Sequence, residues 1–200
     1  MESKLKMKYK QVFFLWLLAI MLFKVCAYGQ QTGRDSRKNA VDSFVIKLQE
    51  RNHAATGKPF PPFTAFYQNK IFTNKNLAGK VVFITFWFAA CAPCIAEMDA
   101  LNTLYDSLKN NPRFEFISFT YEKQAIINKV AKEHKIRYKI LSVKQQDCYK
   151  LNQYNSFPTN IIVDANGIIQ LLETSGYDPN DTRGKAVMEE FYPKLVSMLK

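Results

Sequence analysis

The chain has 200 residues, which is enough for one domain of ordinary size and a short extension. A hydrophobic fraction of 48%, with 14% aromatic residues, excludes an intrinsically disordered chain and allows one packed core. The formal net charge is +11, but no run of Lys and Arg with interleaved aromatic residues stands out, so we expect no nucleic-acid partner.

Residues 1–29 have the pattern of an export signal. Several lysines precede an unbroken apolar run, Val12–Phe23, and small residues follow at Ala27 and Gly29. A helix of this length spans about 18 Å, whereas the hydrocarbon core of a membrane is about 30 Å thick. We therefore expect cleavage after Ala27 or Gly29, with an uncleaved membrane anchor as the alternative. The pattern predicts an exported protein, in the periplasm or on the outer face of the cytoplasmic membrane of a bacterium. Cleavage leaves a net charge of +7.

The rest of the chain predicts a linker followed by one domain. Residues 30–58 are interpreted as a polar linker and a short amphipathic helix over 39–52, with a loop over 54–62. Residues 59–200 form the main domain. In chain order it is predicted to contain a hairpin over 63–73, a strand over 80–88, a helix over 94–108, a strand over 114–119, a helix over 124–134, a strand over 138–143, a helix over 147–154, a hairpin over 159–173 and a closing helix over 184–200. This order predicts an α/β fold with a mixed sheet and helices on both faces.

The motif Cys91-Ala92-Pro93-Cys94 directly follows the most apolar strand and opens the helix over 94–108. A structural zinc site needs a second pair of ligands, which the sequence does not offer, so we expect no metal ion and no cofactor. Two residues between the cysteines let both sulfur atoms meet at the first helical turn, where N–H groups and the helix dipole stabilise a thiolate. The spacing therefore predicts a redox-active disulfide. Cys91, at the exposed tip, would attack the substrate, and Cys94 would resolve the mixed disulfide.

Further motifs accompany the two cysteines. In chain order they are Pro59–Phe63, Leu77–Val82, Phe86-Trp87, Glu97-Met98, Phe157-Pro158-Thr159 and Asp164–Gly167. Together with the CxPC motif they resemble the extracytoplasmic thiol-disulfide oxidoreductases of the TlpA/ResA type, which have a thioredoxin-like fold. The resemblance implies an enzyme that reduces protein disulfides, a membrane protein as its electron donor, and apo-cytochrome c as a candidate substrate. A disulfide oxidase or isomerase shares the same residues and stays open as an alternative.

The resemblance also assigns roles outside the cysteine pair. It implies that Pro158 is cis, packs against the disulfide and, with Phe157, binds the substrate peptide. It assigns Glu97 to acid–base tuning of the active-site thiols, whereas a solvated glutamate favoured by the helix dipole is the alternative. Thr85 stands where cytoplasmic thioredoxins carry a buried Asp. A proton acceptor for Cys94 must then come from elsewhere, and Glu97 is the nearest candidate in the sequence.

The chain departs from the family pattern beside the motif. Ala90 stands where the family usually has Trp, Phe88 and Ala89 replace a small-polar pair, and Ile95 replaces a frequent basic residue. These changes are expected to alter substrate specificity and redox potential but not the exchange chemistry. The remaining cysteine of the domain, Cys148, is expected to be a buried core thiol.

Other functions fit the motifs less well. Copper chaperones of similar fold have three residues between their cysteines and a distant His, but this chain has two and no His after Pro158. A thiol peroxidase of related fold needs Thr three residues before its reactive Cys, where this chain has Phe88. A binding module without activity is disfavoured by the intact cysteine pair, Glu97 and Pro158.

Overall fold

The computed structural model describes residues 16, 21, 24, 38, 40–68, 70–174 and 187–200. The chain has two compact units, Met1–Lys47 and Leu48–Lys200. The predicted export signal lies outside the described residues except for Trp16, Met21 and Lys24, which are helical and exposed. No helix among the described residues is long and apolar enough to cross a membrane.

The described part of the second unit contains one sheet of seven strands. They are β1 (Thr64–Tyr67), β2 (Lys70–Thr73), β3 (Val81–Phe86), β4 (Phe114–Thr120), β5 (Lys139–Ser142), β6 (Thr159–Val163) and β7 (Ile169–Thr174). Their spatial order is β2-β1-β5-β4-β3-β6-β7. Strand β4 is parallel to both β3 and β5, and the other pairs are antiparallel. The sheet is therefore mixed, as the sequence predicts.

Helices precede, connect and follow these strands along the chain. The described ones are α1 (residues 40–55), α2 (Ala92–Leu108), α3 (Gln124–Glu133), α4 (Gln145–Leu151) and α5 (Tyr192–Leu199). A 3₁₀ turn, Asn74–Leu77, precedes β3, and a π-helical turn, Val187–Phe191, leads into α5. The predicted α/β architecture with helices around a central mixed sheet is confirmed.

Strand β3 separates two hydrophobic cores because every one of its residues is buried. Ile84 lies in one core together with Leu151 of α4. Phe83 lies in the other, together with Leu104 of α2 and Leu195 of α5. A strand covered on both faces has no polar alternation, which is why its sequence is almost entirely apolar. Its carboxyl end leads directly into the cysteine motif.

Two predicted helices differ from the structure at their ends. Helix α1 continues to residue 55 before Gly57, whose φ of +82° suits a residue without a side chain. Residues 48–58, which the sequence analysis places in the linker, belong to the second compact unit. Residues 184–186 of the predicted closing helix lie outside the described residues. From residue 187 onward the segment is a π-helical turn followed by α5, and Pro193, which has no N–H, is placed in the first turn of α5.

Candidate active site

The two motif cysteines lie at the start of α2 and are joined by a disulfide bond. Cys91 is the residue just before the helix and Cys94 lies in its first turn, with Cα atoms 5.2 Å apart. Pro93 occupies a first-turn position, where its missing N–H is not needed. The sequence spacing therefore places both sulfur atoms together at the positive end of the helix dipole.

The Cys91 sulfur also caps the helix. The backbone N–H of Cys94 donates a hydrogen bond to Sγ of Cys91, with 3.3 Å between the heavy atoms. A backbone N–H directed at the sulfur favours its negatively charged form, and so does the helix dipole. The geometry supports a reactive thiolate at Cys91 once the disulfide is reduced.

The prediction that Cys91 lies at an exposed tip is wrong for the disulfide form. Only 3% of Cys91 and 2% of Cys94 is accessible to solvent. The pair packs in a small core with Trp87 and Met98, and the partly buried Phe157 lies against this core. The sequence analysis placed the Phe157-Pro158 turn beside the disulfide, but it did not predict that the pair itself would be buried.

Side chains from β4 and the loop after it hold the segment between β3 and α2. The indole Nε1 of Trp87 donates to the hydroxyl of Ser118 at 3.3 Å. The N–H of Ala89 donates to the carboxylate of Glu122 at 2.8 Å. Glu122 was not singled out from the sequence, where it is one charged loop residue among several. Its carboxylate fixes the chain two residues before Cys91.

The peptide bond between Phe157 and Pro158 is cis, which confirms that expectation. Thr159, the next residue, pairs with Phe86 at the end of β3. Pro158 therefore lies beside the point where the chain leaves β3 toward Cys91. The hydroxyl of Thr159 donates to the carbonyl of Ser156 at 2.6 Å and closes this turn.

Four half-buried rings, which we call the aromatic cluster, surround this turn: Phe88, Tyr121, Tyr149 and Phe157. Phe157 packs edge-on against Phe88, with ring centres 5.4 Å apart, and against Tyr149 at 5.5 Å. Tyr121 stacks on Phe88 at 5.9 Å. Burial, more than its charged neighbours, raises the pKa of Tyr121 above its ordinary value. Sequence reasoning missed the two tyrosines because they come from separate elements.

Glu97 is buried inside α2 and faces the sheet. Only 1% of it is accessible to solvent, so the alternative of a solvated glutamate is wrong. The amide Nδ2 of Asn160 donates to its Oε2 at 3.1 Å. Asn160 lies on β6 directly opposite Thr85 of β3. Burial and, to a smaller extent, the charge of Glu97 hold the pKa of Tyr138 far above its ordinary value, so this phenol lies within electrostatic reach.

Asn160 is the residue that the sequence reasoning should have noticed. It is a polar residue inside a fully buried strand, Thr159–Val163, directly after the Phe157-Pro158-Thr159 motif. Buried polar side chains are usually hydrogen-bonded to a specific partner. That pattern pointed to a buried polar partner, although not to Glu97 in particular.

Cys148 is a buried core thiol on α4, as the sequence predicts. It is fully buried and is the free cysteine among the described residues. Burial raises its pKa to about 12, so almost none of it is thiolate near neutral pH. Cys148 therefore does not contribute a reactive sulfur to the site.

Comparison with known proteins places these features in a family. A model of the AhpC/TSA family matches residues 56–172, which is more than half of the chain. The thiol-disulfide oxidoreductase ResA of Geobacillus kaustophilus is 30% identical over 138 residues, covering 66% of this chain and 76% of that protein. ResA of Bacillus thuringiensis is 26% identical over 141 residues, covering 70% and 78% respectively.

A solved structure confirms the predicted thioredoxin-like fold. The thioredoxin domain of a thiol-disulfide oxidoreductase from Bacteroides vulgatus is 25% identical, with a TM-score of 0.58, and the match covers 69% of this chain and 98% of that one. The chain belongs to the AhpC/TSA family and is a ResA-like thiol-disulfide oxidoreductase.

Proposed function

We propose that this member of the AhpC/TSA family reduces protein disulfides outside the cytoplasm, with Cys91 as nucleophile and Cys94 as resolving cysteine. The observation that carries the assignment is the hydrogen bond from the N–H of Cys94 to Sγ of Cys91. It supports Cys91 as the stabilised thiolate, because the first turn of α2 directs an N–H at this sulfur.

The proposed reaction is a two-step exchange. The Cys91 thiolate attacks a substrate disulfide, a mixed disulfide forms, and one substrate sulfur leaves with the electron pair of the broken bond. Cys94 then loses its proton and attacks Sγ of Cys91. The Cys91–Cys94 disulfide forms and the second substrate sulfur leaves. The substrate gains two electrons and the enzyme dithiol is oxidised.

Glu97 is the proposed proton acceptor for Cys94. It follows Cys94 by three residues on α2, and residues three apart are neighbours on a helix surface. Its burial and the uncharged Thr85 on the facing strand support this role, because no carboxylate stands at position 85. Proton transfer within a water-poor site needs such a positioned base.

Phe157 and Pro158 are the proposed binding surface for the substrate peptide. Phe157 packs against the core that holds the disulfide, and it belongs to the aromatic cluster. Half-buried aromatic rings beside a reactive sulfur offer apolar area at a small cost in conformational entropy. We expect the segment around a substrate cysteine to lie on this cluster while the mixed disulfide exists.

Export, the electron donor and the substrate are also proposals. The lysine-rich start, the apolar run Val12–Phe23 and the small residues after it support a signal peptide or a membrane tether over residues 1–29. An exported reductase needs a membrane protein to reduce it again. Apo-cytochrome c, in cytochrome c maturation, is the substrate that the family resemblance suggests. A disulfide oxidase or isomerase is the second candidate, because the same residues serve either direction.

The reduction potential of the purified protein tests the direction. The protein is equilibrated with glutathione and dithiothreitol buffers, with Cys91→Ser as the control that lacks the couple. A value near that of thioredoxin, about −270 mV, or lower supports a reductase. A value near about −120 mV identifies an oxidant and overturns the proposed direction. Absence of any Cys91-dependent redox couple overturns both the reductase and the oxidase assignment, and copper binding is then tested.

A further inference from the structure

Glu97 and Asn160 form a buried polar pair between α2 and β6. Their exposed fractions are 1% and 2%, and Nδ2 of Asn160 donates to Oε2 of Glu97 at 3.1 Å. Strand β6 is otherwise apolar from Ile161 to Val163. Burial of a polar side chain here costs free energy unless that side chain is hydrogen-bonded.

The amide oxygen of Asn160, Oδ1, is the second feature of this pair. This oxygen is buried and has no hydrogen-bond partner within the described part of the chain. A side-chain amide has two donor hydrogens on nitrogen and an acceptor oxygen, and a half-turn about its last bond exchanges their positions. After such a turn Oδ1 would stand where Nδ2 stands now, within hydrogen-bond distance of the Glu97 carboxyl.

The two orientations of this amide match the two protonation states of Glu97. An ionised carboxylate only accepts hydrogen bonds, and the NH₂ group of Asn160 serves it. A protonated carboxyl has one O–H to donate, and the free Oδ1 can accept it. A leucine could serve neither state, and an aspartate would add a second negative charge.

We propose that Asn160 is a positioning residue for the resolving step, because its amide hydrogen-bonds Glu97 in both protonation states. This inference rests on the proposed roles of Cys94 and Glu97. When Cys94 attacks, its proton passes to the Glu97 carboxylate and its thiolate forms the bond to Sγ of Cys91, while the mixed-disulfide bond breaks and the substrate sulfur leaves with its electron pair. The Asn160 amide then turns its oxygen toward the new O–H. The proton later returns to solvent, and the carboxylate again accepts from Nδ2.

Other titratable groups face this pair. Cys94 precedes Glu97 on α2, and Tyr138, ahead of β5, interacts electrostatically with Glu97. Glu173 of β7 lies directly opposite Asn160. Burial and then the charge of Glu190 raise the pKa of Glu173. The effect of Asn160 on Glu97 is therefore measured through the rate of the step in which Cys94 attacks. A titration of the whole protein would include these other groups.

The experiment follows the two steps separately by stopped flow. Reduced full-length protein, in a Cys26→Ser background, is mixed with dithiobis(nitrobenzoate) over a range of pH. The first thionitrobenzoate released reports attack by Cys91, and the second reports its displacement by Cys94. We expect Asn160→Leu to lower the ratio of second to first rate about tenfold near neutral pH, the size of one lost hydrogen bond to a charged group. The midpoint of the second phase should move to higher pH, because the carboxylate has lost its donor.

Two further variants make the result decisive. Asn160→Asp keeps the size of the side chain and should also move the midpoint upward, because it places a second acid beside Glu97. Asn102→Leu is the matched control. Asn102 is a buried asparagine on α2, the helix that carries Glu97. Its side-chain amide donates to the carbonyl of His134 and accepts from the N–H of Arg137. Asn102→Leu should lower stability and leave the midpoint in place.

A wild-type midpoint in either folded Asn160 variant overturns the proposal. So does an equal shift in Asn102→Leu, since the effect would then be a general loss of stability. Because the probe is a small disulfide, the test does not depend on the natural substrate or on export. Failure of the Cys91–Cys94 exchange itself would appear as a missing second phase in the unmutated protein, and only that result counts against the proposed function.

Discussion

Phe88→Ala tests whether the aromatic cluster binds the substrate polypeptide. Phe88 is half-buried and contacts the rings of Tyr121 and Phe157. Truncation of a fully buried Phe costs about 3–5 kcal/mol, so we expect a loss of about 2 kcal/mol in the free energy of unfolding. A peptide that covers the exposed half of the ring gains about 1–1.5 kcal/mol from it. Its loss should lower kcat/KM for a protein disulfide about five- to tenfold.

The assay compares a protein disulfide, such as insulin, with a small one, such as hydroxyethyl disulfide. The small disulfide reaches Cys91 without covering Phe88, so its kcat/KM should fall less than twofold. Phe66→Ala is the matched control, because Phe66 is 63% exposed on β1 and makes no contact with the aromatic cluster among the ring contacts of the described residues. It should leave both reactions unchanged. An equal loss on both disulfides would refute the reasoning, since the ring would then support the cysteines and not the substrate.

Three further predictions follow from single residues. Cys148 should resist iodoacetamide in the native protein at neutral pH and react in urea, because its thiol is buried with a pKa of about 12. Mass spectrometry measures the alkylated fraction of Cys148 under each condition. Glu173→Gln should raise the free energy of unfolding more at pH 7 than at pH 3. The raised pKa of Glu173 means that the folded state binds its proton more tightly, so ionisation weakens the fold as pH rises, which urea titration at both pH values measures. Cys91-dependent consumption of hydrogen peroxide should be absent, because Phe88 brings no hydroxyl to the site; turnover equal to that on a disulfide would contradict this.

The strongest elements of the fold could be predicted because their signals are local. Strand β3 is recognised from its run of almost entirely apolar residues, all of which are buried in the structure, and α2 from its apolar spacing after the cysteine motif. The ends of elements were harder. Helix α1 runs past its predicted end because Ala55 is buried in the core of the second unit, and no local pattern shows that contact.

The contacts that complete the site could not be predicted, because they join residues far apart in the chain. Glu97 and Asn160 are separated by 63 positions, and Ala89 and Glu122 by 33. The cysteine motif identified the reactive sulfur atoms, because their chemistry depends on contacts within one helical turn. It did not show that Cys91 is buried in the disulfide form, because that depends on how Trp87, Met98 and Phe157 pack in three dimensions.

The small exposed area of Cys91 has a consequence for thiol-disulfide exchange with other molecules. A thiol that reduces a disulfide must bring its sulfur into line with the S–S bond. With only 3% of Cys91 open to solvent, a small thiol in the surroundings finds little room for that approach. A protein partner whose docking moves the side chains packed around the pair gains access that a dissolved thiol lacks. We therefore expect the closed disulfide to exchange electrons slowly with small thiols in the surroundings and faster with proteins that fit the site, which would keep reducing and oxidising pathways in one compartment apart.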